Sequence, residues 1–373
     1  MKVAMVSEHA SPLAAVGGVD SGGQNVHVDA LSRALGRLGH EVTVYTRRDD
    51  ADLPDRVRTA AGVVVEHLDA GPARPVPKDR LLPYVGDLGA ALGRRFAADP
   101  ADVVHAHFWM SGLAALAAAR RCAGSPPVVQ TFHALGVTKR RFQGRHDTSP
   151  GARIRLEQAL GRDVARVIAT STDETSELVR VGVPADRVSV VPCGVDVEEF
   201  TPGGPAAARG SRRRVLSLGR LVPRKGHDTV IRALAAVPDA ELVIAGGPAA
   251  GELADDPEAC RLGGLAERLG IADRVRLVGA VARPDVPTLL RSADVVVCAP
   301  WYEPFGMVPL EAMASGVPVV ATEVGGCVSR ARSRYGWDRI AAETATVYAR
   351  VLSGQPAEPA GGTQDRAAAP VTR

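Results

Sequence analysis

The sequence predicts an α/β protein built from two Rossmann-like, doubly wound parallel-sheet domains that face a cleft. Three observations predict it. Short β-branched apolar runs alternate with longer stretches of helical spacing along most of the 373 residues. The runs are apolar throughout, as expected of strands covered by helices on both faces. The pattern also starts twice, on either side of a Pro-, Gly- and Arg-rich stretch. At about 150 residues per domain, the length suits two.

In the first half, residues 2–7, 41–46, 63–68, 103–107, 128–131 and 167–170 read as strands. Residues 24–38, 81–97, 112–121 and 152–162 between them read as helices, and Val28, Leu31, Leu35 and Leu38 share one face of the first. Residues 198–214 hold Thr-Pro-Gly-Gly-Pro and a run of arginines, the punctuation of a linker. Residues 215–219, 241–245, 275–279, 295–299 and 317–321 then resume the strand pattern. The expected layout is an N-terminal domain over 1–200, a linker over 201–214 and a C-terminal domain over 215–330. A terminal helix over 331–352 and a disordered tail over 353–373 follow.

Composition excludes several classes. With 46% hydrophobic and 23% charged residues, the chain is neither disordered, collagenous nor a coiled coil. A net charge of +3 does not call for nucleic acid as a partner. No apolar run reaches the roughly 18 residues of a membrane span, so no transmembrane segment is expected. The first apolar stretch meets Glu8 and His9 too soon for a signal peptide. Cys122, Cys193, Cys260, Cys298 and Cys327 form no CxxC pair, which favours reduced thiols and a cytoplasmic protein over disulfides or a zinc site.

Three loops carry the chemistry. Residues 16–24, Val-Gly-Gly-Val-Asp-Ser-Gly-Gly-Gln, open a helix whose unpaired N–H groups suit an anion, although an ordinary glycine turn explains them equally well. They contain neither Gly-x-Gly-x-x-Gly nor a Walker sequence. Residues 218–228, Leu-Gly-Arg-Leu-Val-Pro-Arg-Lys-Gly-His-Asp, leave the first strand of the second half. There Arg220 and Lys225 could both reach phosphate, the alternative being two solvated surface cations. Residues 300–320 follow a later strand and hold Glu303 and Glu311 eight positions apart, with Phe305-Gly306-Met307 between them. A carboxylate at a helix start can accept two sugar hydroxyls, and the turn's N–H groups suit a phosphate. Such a pair of glutamates taken alone would be solvated surface.

Taken in order, these segments resemble the retaining glycosyltransferases of the GT-B fold, family 4. The resemblance runs from residue 2 to about 326 and resumes near 331. It rests on Gly22-Gly23-Gln24, His105-Ala-His107-Phe-Trp-Met-Ser-Gly, Thr131-Phe-His133, Pro192-Cys-Gly194-Val-Asp196, Gly219-Arg220 with Lys225-Gly226, and the Glu-x7-Glu signature Glu303 to Glu311. The N-terminal half is similar to bacterial sucrose-phosphate synthases and inositol-phosphate glycosyltransferases.

The resemblance implies roles by position. Arg220 and Lys225 would hold and neutralise the donor diphosphate. Glu311 would take the ribose hydroxyls. Glu303 would contact the donor sugar, beside Phe305, Gly306 and Met307. Gly23 would lie against the donor phosphate, and His133 would line the pocket at the anomeric carbon. Gly22, Gln24, Lys78, Thr131 and Arg153 would serve the acceptor. Arg220, Lys225, Glu303 and His133 are the implied catalytic set. The implied donor is a nucleotide sugar, a UDP-sugar, and the acceptor a sugar phosphate or inositol phosphate. Two cations plus backbone amides would stabilise the leaving diphosphate, so neither cofactor nor metal is expected. Retention without a far-face carboxylate nucleophile favours front-face attack.

Other features carry less. Asp50-Ala-Asp52 has metal-binding spacing but follows a second strand and reads as solvated. His105 and His107 lack partners for zinc. His9 and His27 read as packing or acceptor contacts. Residues 139–147 read as a solvated basic loop or as a lip attracting a phosphorylated acceptor.

One departure from the family pattern stands out. After Gly326 roughly fifty residues are missing, enough for an edge strand and its helices. That would leave residues 317–321 as an exposed sheet edge and bare an apolar sheet face. It also puts at risk the docking of the terminal helix, which carries Trp337, Ile340, Ala341, Thr344, Val347, Tyr348 and Val351 on one face. Three functions follow from these residues: a nucleotide-sugar glycosyltransferase, a non-catalytic nucleotide-sugar binder, and a sugar-nucleotide epimerase on the same fold.

Overall fold

The computed structural model describes residues 1–13, 22–303, 306–322 and 335–355. In chain order the first half contains β1 (Lys2–Val6), α1 (Gly23–Arg37), β2 (Glu41–Arg47), β3 (Arg56–Arg58), β4 (Val64–Leu68), α2 (Val85–Ala98) and β5 (Val103–His107). It continues with α3 (Trp109–Ala119), β6 (Val128–Thr131), α4 (Gly136–Gln143), α5 (Arg153–Asp163), β7 (Arg166–Ala169), α6 (Thr172–Arg180) and β8 (Val188–Val190). The second half contains β9 (Arg213–Leu218), α7 (His227–Leu234), β10 (Ala240–Ala245), α8 (Pro257–Arg268), β11 (Val275–Gly279), α9 (Val286–Arg291), β12 (Val295–Cys298), α10 (Met307–Ala314) and β13 (Val319–Ala321). The last described helix is α11 (Trp337–Leu352).

The chain forms two α/β sheets. The first has order β3-β4-β2-β1-β5-β6-β7-β8 and the second β11-β10-β9-β12-β13. All pairings are parallel except that of β3 with β4. The apolar runs explain this. Every residue of β4 and β5 is buried, because helices cover both faces. In each sheet the strand order reverses beside the first strand, between β1 and β5 and between β9 and β12. Those switch points open crevices at the carboxyl ends of the strands.

The structure departs from the sequence reading at the polar edges. The strand β3, Arg-Val-Arg, has no apolar run to announce it; it pairs as an edge, with Arg56 near Glu66 of β4 (3.5 Å). The strand β9 begins at Arg213, inside the stretch read as linker. Arg214 is buried there because its guanidinium meets Glu241 (2.7 Å), Ser292 Oγ (3.0 Å) and the Ala208 carbonyl (3.1 Å).

The terminal helix is seated. Trp337, Ile340, Ala341, Val347 and Tyr348 of α11 share one core with Val28, Leu31 and Leu35 of α1 and with Val3 and Met5 of β1. Each large apolar side chain buried there contributes about 1.5–3 kcal/mol relative to exposure. A backbone bridge from Val195 to Gly336 delivers the helix to the first sheet, and Arg37 pairs with Asp338 at its start (2.6 Å). Among the described strands β13 stands at the end of the second sheet, and Val320 is 59% exposed. The expected join after Gly326 and most of the expected disordered tail lie outside the described residues.

Candidate active site at the two sheet switch points

The second switch point gathers the cationic and acidic residues. Because β9 and β12 are neighbours, the loops that leave them run side by side. They are stitched by the Trp301 N–H donating to the Arg224 carbonyl (2.8 Å). Gly226 sets the close approach: its φ is +69°, and a Cβ there would fall 1.8 Å from the Ala299 carbonyl oxygen. That geometry brings Lys225 Nζ within 2.5 Å of Glu303 Oε2, with both side chains mostly buried.

The loop bearing Arg220 is braced from below. His227 Nε2–H donates to the Arg220 carbonyl (3.3 Å), so Nδ1 accepts from Ser217 Oγ (2.9 Å). Burial holds His227 below its ordinary pKa, in keeping with that neutral tautomer.

Gly306 adopts φ +63° at the head of α10 and directs its N-terminus, from Met307 onward, to the same rim. One turn in, Glu311 is 3% exposed and its Oε1 lies 2.6 Å from Arg283 Nη1. Burial raises the Glu311 pKa, while Arg283 and Lys225 oppose the rise. Arg283 is itself fixed over the Phe200 ring (4.6 Å), with Glu199 at 3.8 Å. No motif marked Arg283: it comes from the loop after β11, and only the fold sets it beside Glu311. Phe305 lies outside the described residues.

The first switch point is built differently. Gly22 caps α1, and beyond its chain neighbours nothing among the described residues lies within 4 Å of where its Cβ would be. Gly23 is the first residue of the helix. Gln24 ties the helix head to both flanking strands, donating from Nε2 to Ser7 Oγ (3.2 Å) and to the His107 carbonyl (3.3 Å). Two non-glycine residues just past β5 and β6, Phe108 (φ 79°) and His133 (φ 62°), sit in the left-handed region. Such strain costs on the order of 1–3 kcal/mol and gathers at functional sites.

Around His133 the structure assembles a buried imidazole cluster. His107 Nδ1 is 2.9 Å from His133 Nε2, and the His105 ring lies 4.1 Å from that of His107. His27 from α1 is 5.1 Å from His133 and 5.3 Å from Trp337. His105 uses both nitrogens, toward Tyr348 Oη (2.6 Å) and Thr131 Oγ1 (2.9 Å). Burial lowers the pKa of His27 to about 4 and that of His105 to about 3, and holds His107 and His133 well below the ordinary value. The spacing of His105 and His107 puts both on one face of β5, a signal the sequence does carry.

The expected acceptor residues are not equally available. Thr131 is engaged by His105 in the core. Arg153 is buried over the Phe108 ring (5.1 Å) and donates to Glu157 (2.7 Å), Ser149 Oγ (3.1 Å) and the Ala134 carbonyl (2.5 Å). Lys78 is half-buried on a short helical turn, next to Asp79. The basic stretch after it folds as α4 rather than a loop, and its charges are matched. Lys139 lies near Asp79 (3.3 Å) and Asp147 (3.2 Å), Arg140 near Asp147 (3.0 Å) and Arg141 near Glu177 (2.8 Å). Asp50 and Asp52 are exposed.

Contacts join the two halves above these sites. The Tyr302 ring stacks on Phe142 of α4 (5.3 Å, 23° between planes), and Gln143 Nε2 lies 3.2 Å from Tyr302 Oη. The Arg224 guanidinium also lies over the Tyr302 ring, 5.3 Å from its centre.

Comparison with known proteins gives this architecture its family. Residues 21–199 match the model of Glycosyltransferase Family 4, and residues 205–337 that of Glycosyl transferases group 1. A D-inositol 3-phosphate glycosyltransferase of Kribbella flavida is 39% identical over 345 residues, 87% of this chain and 80% of its own. The chain belongs to the family 4 glycosyltransferases of the GT-B fold. D-inositol 3-phosphate glycosyltransferase 2 of Catenulispora acidiphila is 37% identical to this glycosyltransferase over 95% of the chain and 86% of its own length. The sucrose-phosphate synthase of Thermosynechococcus elongatus superposes with a TM-score of 0.83 at 26% identity, covering 95% of this chain and all of that one (100%). Starch synthase IV of Arabidopsis thaliana shares the fold, with a TM-score of 0.68 at 17% identity over 94% of this chain and 99% of that one. Among the described residues no helix is long and apolar enough to cross a membrane.

Proposed function

We propose that this glycosyltransferase moves a sugar from a nucleotide-sugar donor, a UDP-sugar, to an inositol phosphate or similar small phosphorylated acceptor, with retention of anomeric configuration. The observation that carries the reading is the Lys225–Glu303 pair at the second switch point, with Glu311 buried on the adjoining helix. The naming of the similar proteins as D-inositol 3-phosphate glycosyltransferases supports the acceptor.

Breaking the sugar–phosphate bond leaves an oxocarbenium-like sugar and a diphosphate with new negative charge. Lys225 and Arg220 meet that charge at the end of β9, aided by the N–H groups at the head of α10. Glu303 fixes the Lys225 ammonium and accepts from donor-sugar hydroxyls. Glu311 accepts from the ribose hydroxyls, with Arg283 opposing the rise in pKa that burial causes. Gly22 and Gly23 leave room for donor and acceptor against the helix α1. His133 lines the reacting centre, and Lys78 attracts the acceptor phosphate. The acceptor hydroxyl attacks from the face the diphosphate leaves, and its proton departs with the phosphate.

The test is transfer itself. The protein is incubated with UDP-, ADP- and GDP-sugars and D-myo-inositol 3-phosphate, and nucleotide release and product anomer are followed by NMR. Acceptor-dependent release of UDP with a retained anomeric linkage is expected. An inverted linkage overturns retention. Tight binding of the panel without turnover, or interconversion of the sugar without acceptor, overturns transfer.

A further inference from the structure

The loop that leaves β1 carries a buried carboxylate joined to an imidazole. Glu8 and His9 lie in that loop, at the first switch point, and the loop is held from both flanks. On one side Asn25 Nδ2 of α1 donates to the Ser11 carbonyl (2.9 Å). Ser7 Oγ accepts from Gln24 Nε2 (3.2 Å) and donates to the Ala10 carbonyl (2.9 Å). On the other side Ser111, in the first turn of α3, accepts from the Glu8 N–H (2.9 Å) and returns its own O–H to Glu8 Oε2. Glu8 is 3% exposed and Ser111 is fully buried.

His9 Nδ1 lies 2.7 Å from Glu8 Oε1. A carboxylate only accepts hydrogen bonds, and an imidazole is the stronger base of the two, so the proton between them sits on Nδ1. The opposite arrangement, with Glu8 protonated on Oε1 and His9 protonated on Nε2, puts a proton on the weaker base. It also forgoes the charge-assisted bond that compensates a buried carboxylate. With the proton on Nδ1 both Glu8 oxygens are matched, and the ring keeps one lone pair, on Nε2. Among the described residues no hydrogen bond reaches that nitrogen. The ring is mostly buried, edge-on to Phe108 (4.8 Å), and the same Phe108 ring carries the Arg153 guanidinium (5.1 Å). It is also close to His133, which is held down chiefly by its burial and feels a charge on His9 as well.

We propose that Glu8 is a positioning residue: with Ser111 it fixes His9 as the Nδ1–H tautomer, so that Nε2 accepts a hydrogen bond from a hydroxyl of the acceptor substrate. His9 is then a binding contact, and the attacking hydroxyl still gives its proton to the leaving phosphate. This rests on the reading that the first switch point holds the acceptor.

The tautomer is read by two-bond 1H–15N correlation on the full-length protein with 15N-labelled histidine at pH 8, without any substrate. The His9→Phe spectrum assigns the His9 peaks. His9 should show a protonated Nδ1 and a bare Nε2, and Glu8→Met should move part of the proton to Nε2. A protonated Nε2 on His9 in the wild type overturns the proposal, whatever the reaction proves to be. Kinetics with UDP-sugar and D-myo-inositol 3-phosphate supply the second readout. Glu8→Met should raise the acceptor KM by about tenfold, with donor KM and kcat changed far less. Ser111→Ala, a smaller change, should raise it in the same direction by about twofold to threefold. In a His9→Phe background Glu8→Met should add nothing to the acceptor KM, and a further rise overturns a role exercised through His9. A wild-type acceptor KM in Glu8→Met, or a loss confined to kcat, overturns the positioning role. Absence of transfer by the wild type overturns the proposed function instead, and the spectrum still decides the tautomer.

Discussion

Lys225 stands where two loops from adjacent strands meet, and its partner Glu303 restrains it without burying it completely. An ammonium held in place before the reaction loses little entropy when charge develops on the leaving group. Lys225→Ala should therefore lower kcat by about 100-fold or more while donor Kd changes far less, measured by steady-state kinetics beside calorimetry. Equal losses in both would remove that role. Glu311 is the opposite case, a carboxylate deep in the protein, held by Arg283. Glu311→Ala should weaken nucleotide binding by about tenfold or more with a smaller effect on kcat, and an unchanged UDP affinity would contradict the ribose assignment. These residues were legible in the sequence because the loop after a strand and the head of a helix are fixed by chain order. Arg283 was not. Its pairing depends on a loop from the far side of the sheet, which no spacing encodes.

The element scale is best seen in α11. Its apolar face was plain from the period of Trp337, Ile340, Ala341, Thr344, Val347 and Tyr348, all of which are buried. What the period could not give was the surface it meets, which includes polar rings. Tyr348→Phe removes the hydroxyl beside His105 Nδ1 and should cost about 0.5–3 kcal/mol, seen as a lower melting temperature. The same interface is acid-sensitive. His27, beside Trp337, has its pKa lowered from 6.5 to about 4 by burial. A depressed folded value means that the unfolded chain binds the proton first as pH falls. Stability from this group is complete above pH 6.5 and declines between 6.5 and about 4, by on the order of 3 kcal/mol over the window. Thermal melts at pH 7.5, 6 and 5 should fall in that order, and His27→Gln should make the trend shallower without abolishing it, because His105, His107 and His133 are depressed in the same direction.

For the whole molecule, the Tyr302–Phe142 stack and the Gln143 contact are where the loop after β12 touches the first half. Tyr302 is adjacent to Glu303, so loosening this contact should disturb the site as well as the shape. Phe142→Ala should increase the radius of gyration in small-angle scattering and weaken donor binding by about threefold to tenfold, within the range of an aromatic pair. Unchanged scattering and affinity would show that the contact does not hold the halves together. The two-sheet architecture followed from the restart of the strand pattern, and both strand orders obey it. Polar elements such as β3 escaped because their pairing is decided by neighbours rather than by their own apolarity.

The first sheet takes part of its covering from the last described helix, some three hundred positions later in the chain. While the polypeptide is being made, α1 and β1 must wait with that face open until α11 leaves the ribosome. The N-terminal half therefore matures only once α11 has been made, and a chain cut short before that helix presents an unfinished, sticky surface to the quality-control machinery of the cell.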